Sequence, residues 1–256
     1  MEVPEPPMPK TPPSPADIPL TAVFAGFVAL WLLLDRTAAW LGSLRGEYGA
    51  AVCGIVLGAA LAIECALGRS RPATALRRLG LRASPARALA CAAGLAALLV
   101  AFFPLYAAAS GAQIALRADW WLLLPGLFAQ AGIAEETLFR GFLFRHVRAR
   151  YSFWKASAIS AGPFVAVHLT LFASLDAALA LTSLLVAVSL SFPLAWLFDR
   201  GGGSIWPPAI LHCAVQGAIK LVDAEASVFL PMALWWMAVS ADPIACECPR
   251  LFQPRI

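Results

Sequence analysis

Continuous apolar stretches of about 20 residues recur along nearly the whole chain, and they limit its fold more than any other feature. A hydrocarbon layer roughly 30 Å thick requires about that many residues in a helix that rises 1.5 Å per residue. The composition agrees, because 61% of the 256 residues are hydrophobic and only 13% are charged, far from the average of soluble domains. The stretches do not alternate between polar and apolar residues, as barrel strands do. They therefore predict helices that satisfy their own backbone hydrogen bonds in lipid.

The predicted fold class is all-α, a polytopic transmembrane helical bundle of about eight membrane-spanning helices. Residues 1–19 are rich in proline and predict a flexible N-terminal lead. Residues 20–245 are the expected transmembrane domain, and residues 246–256 are a C-terminal tail. The predicted spans are 20–41, 48–67, 88–108, 120–144, 154–174, 177–198, 205–222 and 226–241.

Basic residues gather in two short segments between these spans, Arg69 to Arg87 and Arg145 to Lys155. This asymmetry is the positive-inside signature, so both segments are predicted to be cytoplasmic. Counting spans from there places both chain termini in the cytoplasm, and a composition rich in alanine and arginine favours a prokaryotic inner (plasma) membrane. The net charge of +4 is concentrated in these loops, where arginines fix topology and contact anionic lipid head groups. We therefore expect membrane lipids as partners and no nucleic acid.

The fourth predicted span contains three charged residues, Glu135, Glu136 and Arg140. A charge at the centre of a bilayer costs about 2.5–3.5 kcal/mol on insertion scales, so such a group suggests a function. Glu136 and Arg140 are four residues apart, the spacing of a helical ion pair. Glu135 is turned about 100° away and has no basic partner at that spacing, so it is free to act on water as a general base. A purely structural network of the three residues is the alternative.

Two histidines and an amide are the other candidate site residues within the spans. His168 follows Phe164 by one helical turn, and Gln216 follows His212 by one turn, so each pair shares a helix face. A glutamate and a histidine can hold and deprotonate water, while a second histidine and an amide can bond the oxyanion that forms at a carbonyl. This set is typical of hydrolysis, although a single histidine on an apolar helix is more often a packing residue.

Two other interpretations of the polar set stay open. Ser160 and Cys213 are candidate nucleophiles, although Cys213 points about 100° away from His212 on an ideal helix. Two glutamates and two histidines could also bind zinc. Because Arg140 would compete for one carboxylate, we favour a site without metal or other cofactor.

The three motifs Glu-Glu-x-x-x-Arg, Phe-x-x-x-His and His-x-x-x-Gln, in this order, resemble those of the CPBP family of intramembrane glutamic endopeptidases. This family comprises CAAX proteases and bacteriocin-processing proteases, and its last motif commonly ends in asparagine, where this chain has Gln216. The resemblance covers residues 120–220, the expected catalytic core. It involves the following residues: Glu135, Glu136, Arg140, Phe164, His168, His212 and Gln216.

The resemblance implies an intramembrane protease that hydrolyses peptide bonds in membrane-proximal segments of a membrane-anchored protein or peptide. It implies that Glu135 activates water with the help of His168, that Glu136 pairs with Arg140, and that His212 with Gln216 forms the oxyanion hole. Protein maturation and the processing of C-terminal sorting tags are the expected roles. We expect the site to open toward the cytoplasmic leaflet. A non-catalytic membrane scaffold, immunity protein or transporter with the same polar network is the alternative, although a transporter would be expected to show internal repeats.

Overall fold

The computed structural model describes residues 14–173, 177–225, 227–232 and 234–236. Most of the expected lead and all of the expected tail lie outside these residues. The chain runs through α1 (Leu20–Leu41), α2 (Gly49–Gly68), α3 (Pro72–Arg78), α4 (Ala86–Ser110), β1 (Ile114–Leu116), α5 (Trp120–Leu127), two π-helical stretches (Phe128–Glu135 and Thr137–Phe144), α6 (Arg145–Arg148), α7 (Phe153–Leu169), a 3-10 turn (Thr170–Ala173), α8 (Ala177–Arg200), α9 (Trp206–Lys220) and β2 (Val222–Ala224).

Five helices in the described part of the chain are long and apolar enough to cross a membrane. They are α1, α2, α4, α7 with its 3-10 turn, and the main part of α8. The prediction of an all-α polytopic membrane protein is thereby confirmed. Of the other three expected spans, 120–144 lies within one continuous helical rod over residues 120–148 that carries the charged motif. The span 205–222 is shorter than predicted, because the 15 residues of α9 reach only about 22 Å. The expected span 226–241 lies partly outside the described residues, and a shorter apolar helix, Ser227–Trp236, falls within it.

Residues 120–148 form one continuous rod, which we call the central helix. It consists of α5, the two π-helical stretches and α6, with Glu136 between the two stretches. Every residue from Thr137 to Phe144 is buried, so neighbouring helices enclose this part of the rod. π-Helical turns occur frequently at functional sites, and here they hold the two adjacent glutamates.

Aromatic side chains join the central helix to its neighbours. The ring of Phe139 lies 5.3 Å from that of Phe27 on α1 and 4.8 Å from that of Phe164 on α7, both edge to face. Such pairs stabilise by about 0.5–1.5 kcal/mol beyond the burial of their area. The contact with Phe164 also fixes the height at which α7 packs, and therefore the position of His168 one turn later.

The central helix touches the connection between α3 and α4 at Gly141. A Cβ atom at this position would lie only 2.0 Å from the carbonyl oxygen of Leu79. No side chain fits there without moving one of the two backbones. Glycine is therefore required at position 141 because the two backbones approach each other closely, and not because the position needs an unusual backbone angle.

Replacing Gly141 with alanine should destabilise the protein by about 1–3 kcal/mol or more, because the backbone of Leu79 must be displaced. Gly94→Ala on α4 is the matched control, since a Cβ atom there meets nothing within 4 Å. The thermal unfolding midpoint of the detergent-purified protein measures both effects. Equal midpoints for the two variants would contradict this account of Gly141.

Bonds with distant segments hold both ends of α9. At its start, the backbone N–H of Ile205 donates to Gly80 O at 3.0 Å and Ser204 Oγ donates to Arg82 O at 2.9 Å. At its end, β2 pairs antiparallel with β1, a small sheet that the sequence did not predict. Arg117 beside β1 also bonds Asp119, and its guanidinium lowers the pKa of that carboxyl. The helix that carries His212 and Gln216 is thus fixed at each end.

Candidate active site

Three separate parts of the chain meet around one cavity of about 310 Å³. The central helix contributes Glu135, α7 contributes His168, and α9 contributes His212 and Gln216. The sequence predicted that these four polar groups would share a pocket, and the structure brings them together. The remaining lining is mostly apolar.

Glu136 lies behind the cavity wall in a fully buried polar cluster. Its Oε1 atom accepts a hydrogen bond from Arg140 Nη1 at 2.9 Å, which confirms the predicted ion pair. The same oxygen lies 2.7 Å from His212 Nδ1. Among the described residues, neither Glu136 nor Arg140 lines the cavity. Glu136 therefore contacts the other site residues through His212 and Arg140.

Glu135 is the glutamate that faces the cavity. Its side chain is 17% exposed, whereas that of Glu136 is 0% exposed. Glu135 Oε2 lies 3.7 Å from His212 Nε2, so the two glutamates approach opposite nitrogens of one imidazole ring. Of the two glutamates, Glu135 is therefore the one that can contact a molecule in the cavity.

The orientation of His168 is set by its own helix. Its Nδ1 lies 2.7 Å from the carbonyl oxygen of Phe164, and because a carbonyl can only accept, Nδ1 must carry the proton. In the neutral ring, Nε2 is then a free acceptor. Phe164 is held in turn by the Arg140 guanidinium, whose carbon lies 4.5 Å from the centre of the phenyl ring. The buried ion pair thus supports both histidines.

The candidate nucleophiles lie away from the cavity. The Ser160 hydroxyl donates to the carbonyl oxygens of Ala156 and Ser157 on its own helix. Cys213 is buried and lines a different, apolar cavity on the other side of α9. Neither side chain lines the cavity that contains Glu135, His168 and His212.

No group of three or more histidine, cysteine, aspartate or glutamate side chains within the described ranges is arranged to hold a metal ion. One nitrogen of each histidine in the candidate site already has a hydrogen-bond partner. His212 Nδ1 bonds Glu136, and His168 Nδ1 bonds the carbonyl oxygen of Phe164. Any ligand in the cavity would meet the Nε2 atoms.

Two further charged residues line the cavity that the sequence analysis did not select, Lys220 on α9 and Asp35 on α1. Lys220 follows His212 and Gln216 at a spacing of four residues each time, which places all three on one helix face. This spacing of four residues is the sequence signal that could have identified Lys220 as a site residue. Asp35 lies next to Arg36 near the end of a span, so it looks like an ordinary boundary residue.

The cavity lies in the half of the bundle away from the basic segments, which differs from our expectation. Its wall includes Thr170 and Lys220, which lie at the ends of α7 and α9. The basic segments adjoin the opposite ends of these helices. The expectation that the site opens on the side of the basic segments is therefore wrong. Arg145 adjoins the start of α7 through the basic segment, whereas the cavity wall includes residues at the other ends of α7 and α9.

A second buried polar cluster surrounds Glu64 of α2, which is 0% exposed. Its Oε1 atom accepts a hydrogen bond from Arg145 at 2.7 Å and lies 3.9 Å from Arg78. His146 Nε2 lies 3.6 Å from the other oxygen of Glu64. Glu64 stands alone in an apolar span and carries no motif that would have identified it from the sequence, and His146 is fully buried in this cluster. The cluster ties α2 and the α3 segment to the central helix.

Other arginines of the second basic segment also bond within the protein. Arg148 Nε lies 3.2 Å from Asp199 Oδ1, and Arg150 donates to the backbone carbonyls of Ala16 and Ile18. Arg148 therefore joins the end of α8 to the central helix, and Arg150 joins the segment before α1 to the turn that follows the central helix. This structural role adds to the topological one that the sequence predicted.

Comparison with known proteins identifies a family that part of the chain matches. Residues 117–218 match the family described as type II CAAX prenyl endopeptidase, Rce1-like. A search of curated proteins finds no match for the chain. The matched range agrees with the resemblance seen over residues 120–220, and it contains all the residues of the three motifs.

Proposed function

We propose, from the match of residues 117–218 to the Rce1-like CAAX protease family, that this chain is an intramembrane endopeptidase that uses water activated by Glu135. The family match supports a CAAX-type protease in general. The single observation that carries the finer proposal is the approach of Glu135 and Glu136 to opposite nitrogens of His212, at 3.7 and 2.7 Å, with only Glu135 on the cavity wall.

The first step is the attack of water on the carbonyl carbon of the scissile peptide bond. Glu135 accepts one proton from the water as general base. His168 Nε2, the free acceptor in the same cavity, takes a hydrogen bond from the water and orients its lone pair toward the carbonyl. The carboxylate and the imidazole thus position one water molecule between them and the substrate.

The second requirement is stabilisation of the oxyanion that this attack creates. The Gln216 amide and His212 Nε2 are the proposed donors. Because His212 Nδ1–H donates its hydrogen bond to Glu136, Nε2 can also donate only if the ring is the doubly protonated imidazolium. Glu136 and Arg140 hold the ring in place for this role. When the C–N bond breaks, the proton held by Glu135 passes to the leaving amine.

The substrates that we propose are membrane-anchored proteins or peptides that are cut in a membrane-proximal segment. The apolar lining of the cavity, which includes Phe139, Val186 and Val215, suits aliphatic side chains next to the cut. The family description names CAAX prenyl endopeptidases, which suggests the maturation of protein C-termini. We also propose a plasma membrane location with both chain termini cytoplasmic, as the positive-inside pattern predicts.

The test compares membranes that contain the wild-type chain with membranes that contain the Glu135→Gln variant at equal abundance. Mass spectrometry of protein termini should reveal C-termini and internal cut sites that are present only with wild type. The proposal is supported if the corresponding proteins accumulate uncut in the membranes that contain the variant. Identical termini in both membranes would reject it and would favour the non-catalytic scaffold.

A further inference from the structure

A second cavity lies behind α9, and the proposed mechanism does not use it. Its volume is about 560 Å³, which is within the usual range of ligand sites in proteins. It is surrounded by α4, the central helix, α9 and the sheet of β1 and β2. Among the described residues, none of its lining side chains is charged, and none also lines the cavity that contains Glu135. We call it the apolar cavity.

Helix α9 separates the apolar cavity from the candidate active site. His212 and Gln216 line the candidate site, whereas their neighbours Cys213 and Gly217 line the apolar cavity. Adjacent helix residues point about 100° apart, which accounts for this division. The packing of the helix that carries two candidate site residues therefore depends on what fills the space behind it.

The apolar cavity is continuous with the lipid-facing surface of the protein. Val100, Leu116 and Leu124 line it and are also exposed. Leu98 and Leu105 are exposed on the same helix as Val100. Because α4 is long and apolar enough to cross a membrane, its exposed surface faces the hydrocarbon of the bilayer. The apolar cavity is therefore accessible to lipid chains from the side.

Neither water nor empty space is a stable content for the apolar cavity. A buried water needs two to four polar partners, whereas this lining consists almost entirely of carbon atoms. An empty cavity leaves its lining without contacting atoms, and the loss of stability grows with the cavity volume. The chains of membrane lipids are the apolar groups present at the open side, so a chain that enters restores the missing contacts.

The dimensions of the apolar cavity match a chain from one leaflet. On α9 the lining extends from Ile210 to Leu221, roughly 16 Å along the helix. One leaflet contributes about 15 Å of hydrocarbon, half of the bilayer core.

One end of the apolar cavity lies at the level of the head groups. The backbone N–H of Arg117 donates to the carbonyl oxygen of Leu221 at this end, and the guanidinium of Arg117 pairs with Asp119. Trp121 is exposed nearby on the central helix, and tryptophan is enriched where a membrane meets water. The other end, at Ile210 and Cys213, therefore lies deeper in the hydrocarbon.

We propose that the apolar cavity binds one acyl chain of a membrane phospholipid from the leaflet on the side away from the basic segments. The head group lies at the Arg117 end, and the end of the chain lies beside Cys213. The bound chain packs against the back of α9 and supports the helix that carries His212 and Gln216. This binding is independent of the proposed cleavage, because α9 separates the chain from Glu135.

Photolabelling with two phospholipids tests this proposal. Both are phosphatidylethanolamines in nanodiscs that contain the full chain, one with a diazirine at the end of an acyl chain and one with a diazirine close to the head group. Light releases N₂ from the diazirine, the resulting carbene inserts into a nearby bond, and mass spectrometry of peptides locates the label. In wild type we expect the chain-end probe to label Cys213 and Ile210, and the other probe to label Leu116 and Trp120.

Gly217→Leu should exclude the chain from the apolar cavity. Among the described residues, a Cβ atom at position 217 meets only Leu221 Cδ1, at an ordinary contact distance of 3.7 Å, so the new side chain extends into the apolar cavity. Labelling of Cys213 by the chain-end probe should fall about 10-fold or more, because overfilling a packed space is unfavourable. Gly94→Leu is the matched control, since position 94 has open space around it outside this cavity, and Cys213 should be labelled as in wild type.

Labelling of the lipid-facing Leu105 should stay the same in both variants, and a cooperative thermal transition shows that each is folded. Equal labelling of Cys213 in wild type and in folded Gly217→Leu would overturn the proposal. So would a wild-type protein in which the chain-end probe labels Leu105 but not Cys213, or in which both probes label Cys213 equally. These wild-type results decide the question even if Gly217→Leu does not fold.

Discussion

Replacing Glu135 with glutamine is expected to lower kcat by about 10²-fold to 10⁴-fold, the range of a lost general base. Glutamine has nearly the same shape and can still contact His212, but it cannot accept the proton of the attacking water. KM should change little, because the cavity wall is preserved. Purified protein and the substrate found by mapping of termini provide the measurement.

The matched control for this prediction is Asp199→Asn. It makes the same change of carboxylate to amide, but Asp199 pairs with Arg148 outside the cavity. A partly exposed pair of this kind contributes at most about 1 kcal/mol, so the control should keep kcat near the wild-type value. If Glu135→Gln were as active as Asp199→Asn, another group would have to activate the water.

Replacing Arg140 with methionine should cause the largest loss of stability among the changes considered. The Glu136 carboxylate would be left buried without its cation, and breaking such a pair costs about 3–5 kcal/mol. The guanidinium that packs 4.5 Å from the Phe164 ring would also be lost. We expect the thermal midpoint in detergent to fall by about 10 °C or more.

The double variant Glu136→Gln with Arg140→Met separates the contribution of the buried charge to stability from the contribution of side-chain packing. Glutamine removes the uncompensated charge and keeps an oxygen for His212 Nδ1–H, so the double variant should be more stable than Arg140→Met alone. Such a cycle isolates the interaction between the two residues. Additive losses would mean that the pair contributes through packing and not through its charges.

The parts of the fold that depend on local composition were predictable from the sequence. The expected spans 20–41 and 48–67 coincide with α1 and α2 almost to the residue, because continuous apolar runs leave few alternatives in lipid. The pairing of Glu136 with Arg140 was predictable for the same reason, since a helix brings residues four apart together. The π-helical geometry of the central helix was not, because no local residue preference distinguishes it from an α-helix.

Two histidines in the same local sequence pattern have different surroundings, which the pattern alone could not predict. The chain contains Phe-x-x-x-His twice, at Phe142–His146 and at Phe164–His168. In both, Nδ1 bonds the carbonyl of the phenylalanine and the rings lie 5.0 Å apart. Only the surroundings differ, since His146 Nε2 faces the buried Glu64 and His168 lines the cavity. Glu64 is distant in the sequence, so this difference appears only in the tertiary structure.

The walls of the cavity restrict the conformation of whatever is cut. Helices α1, α7, α8, α9 and the central helix surround it, whereas a carbonyl within a substrate helix is hydrogen-bonded inside that helix and shielded by its side chains. A helical anchor must therefore unwind before it enters, and its freed N–H and C=O groups need partners away from water. Frayed chain ends and segments weakened by glycine or proline should be cut first, so the ease of local melting would select among substrates before any side chain is recognised.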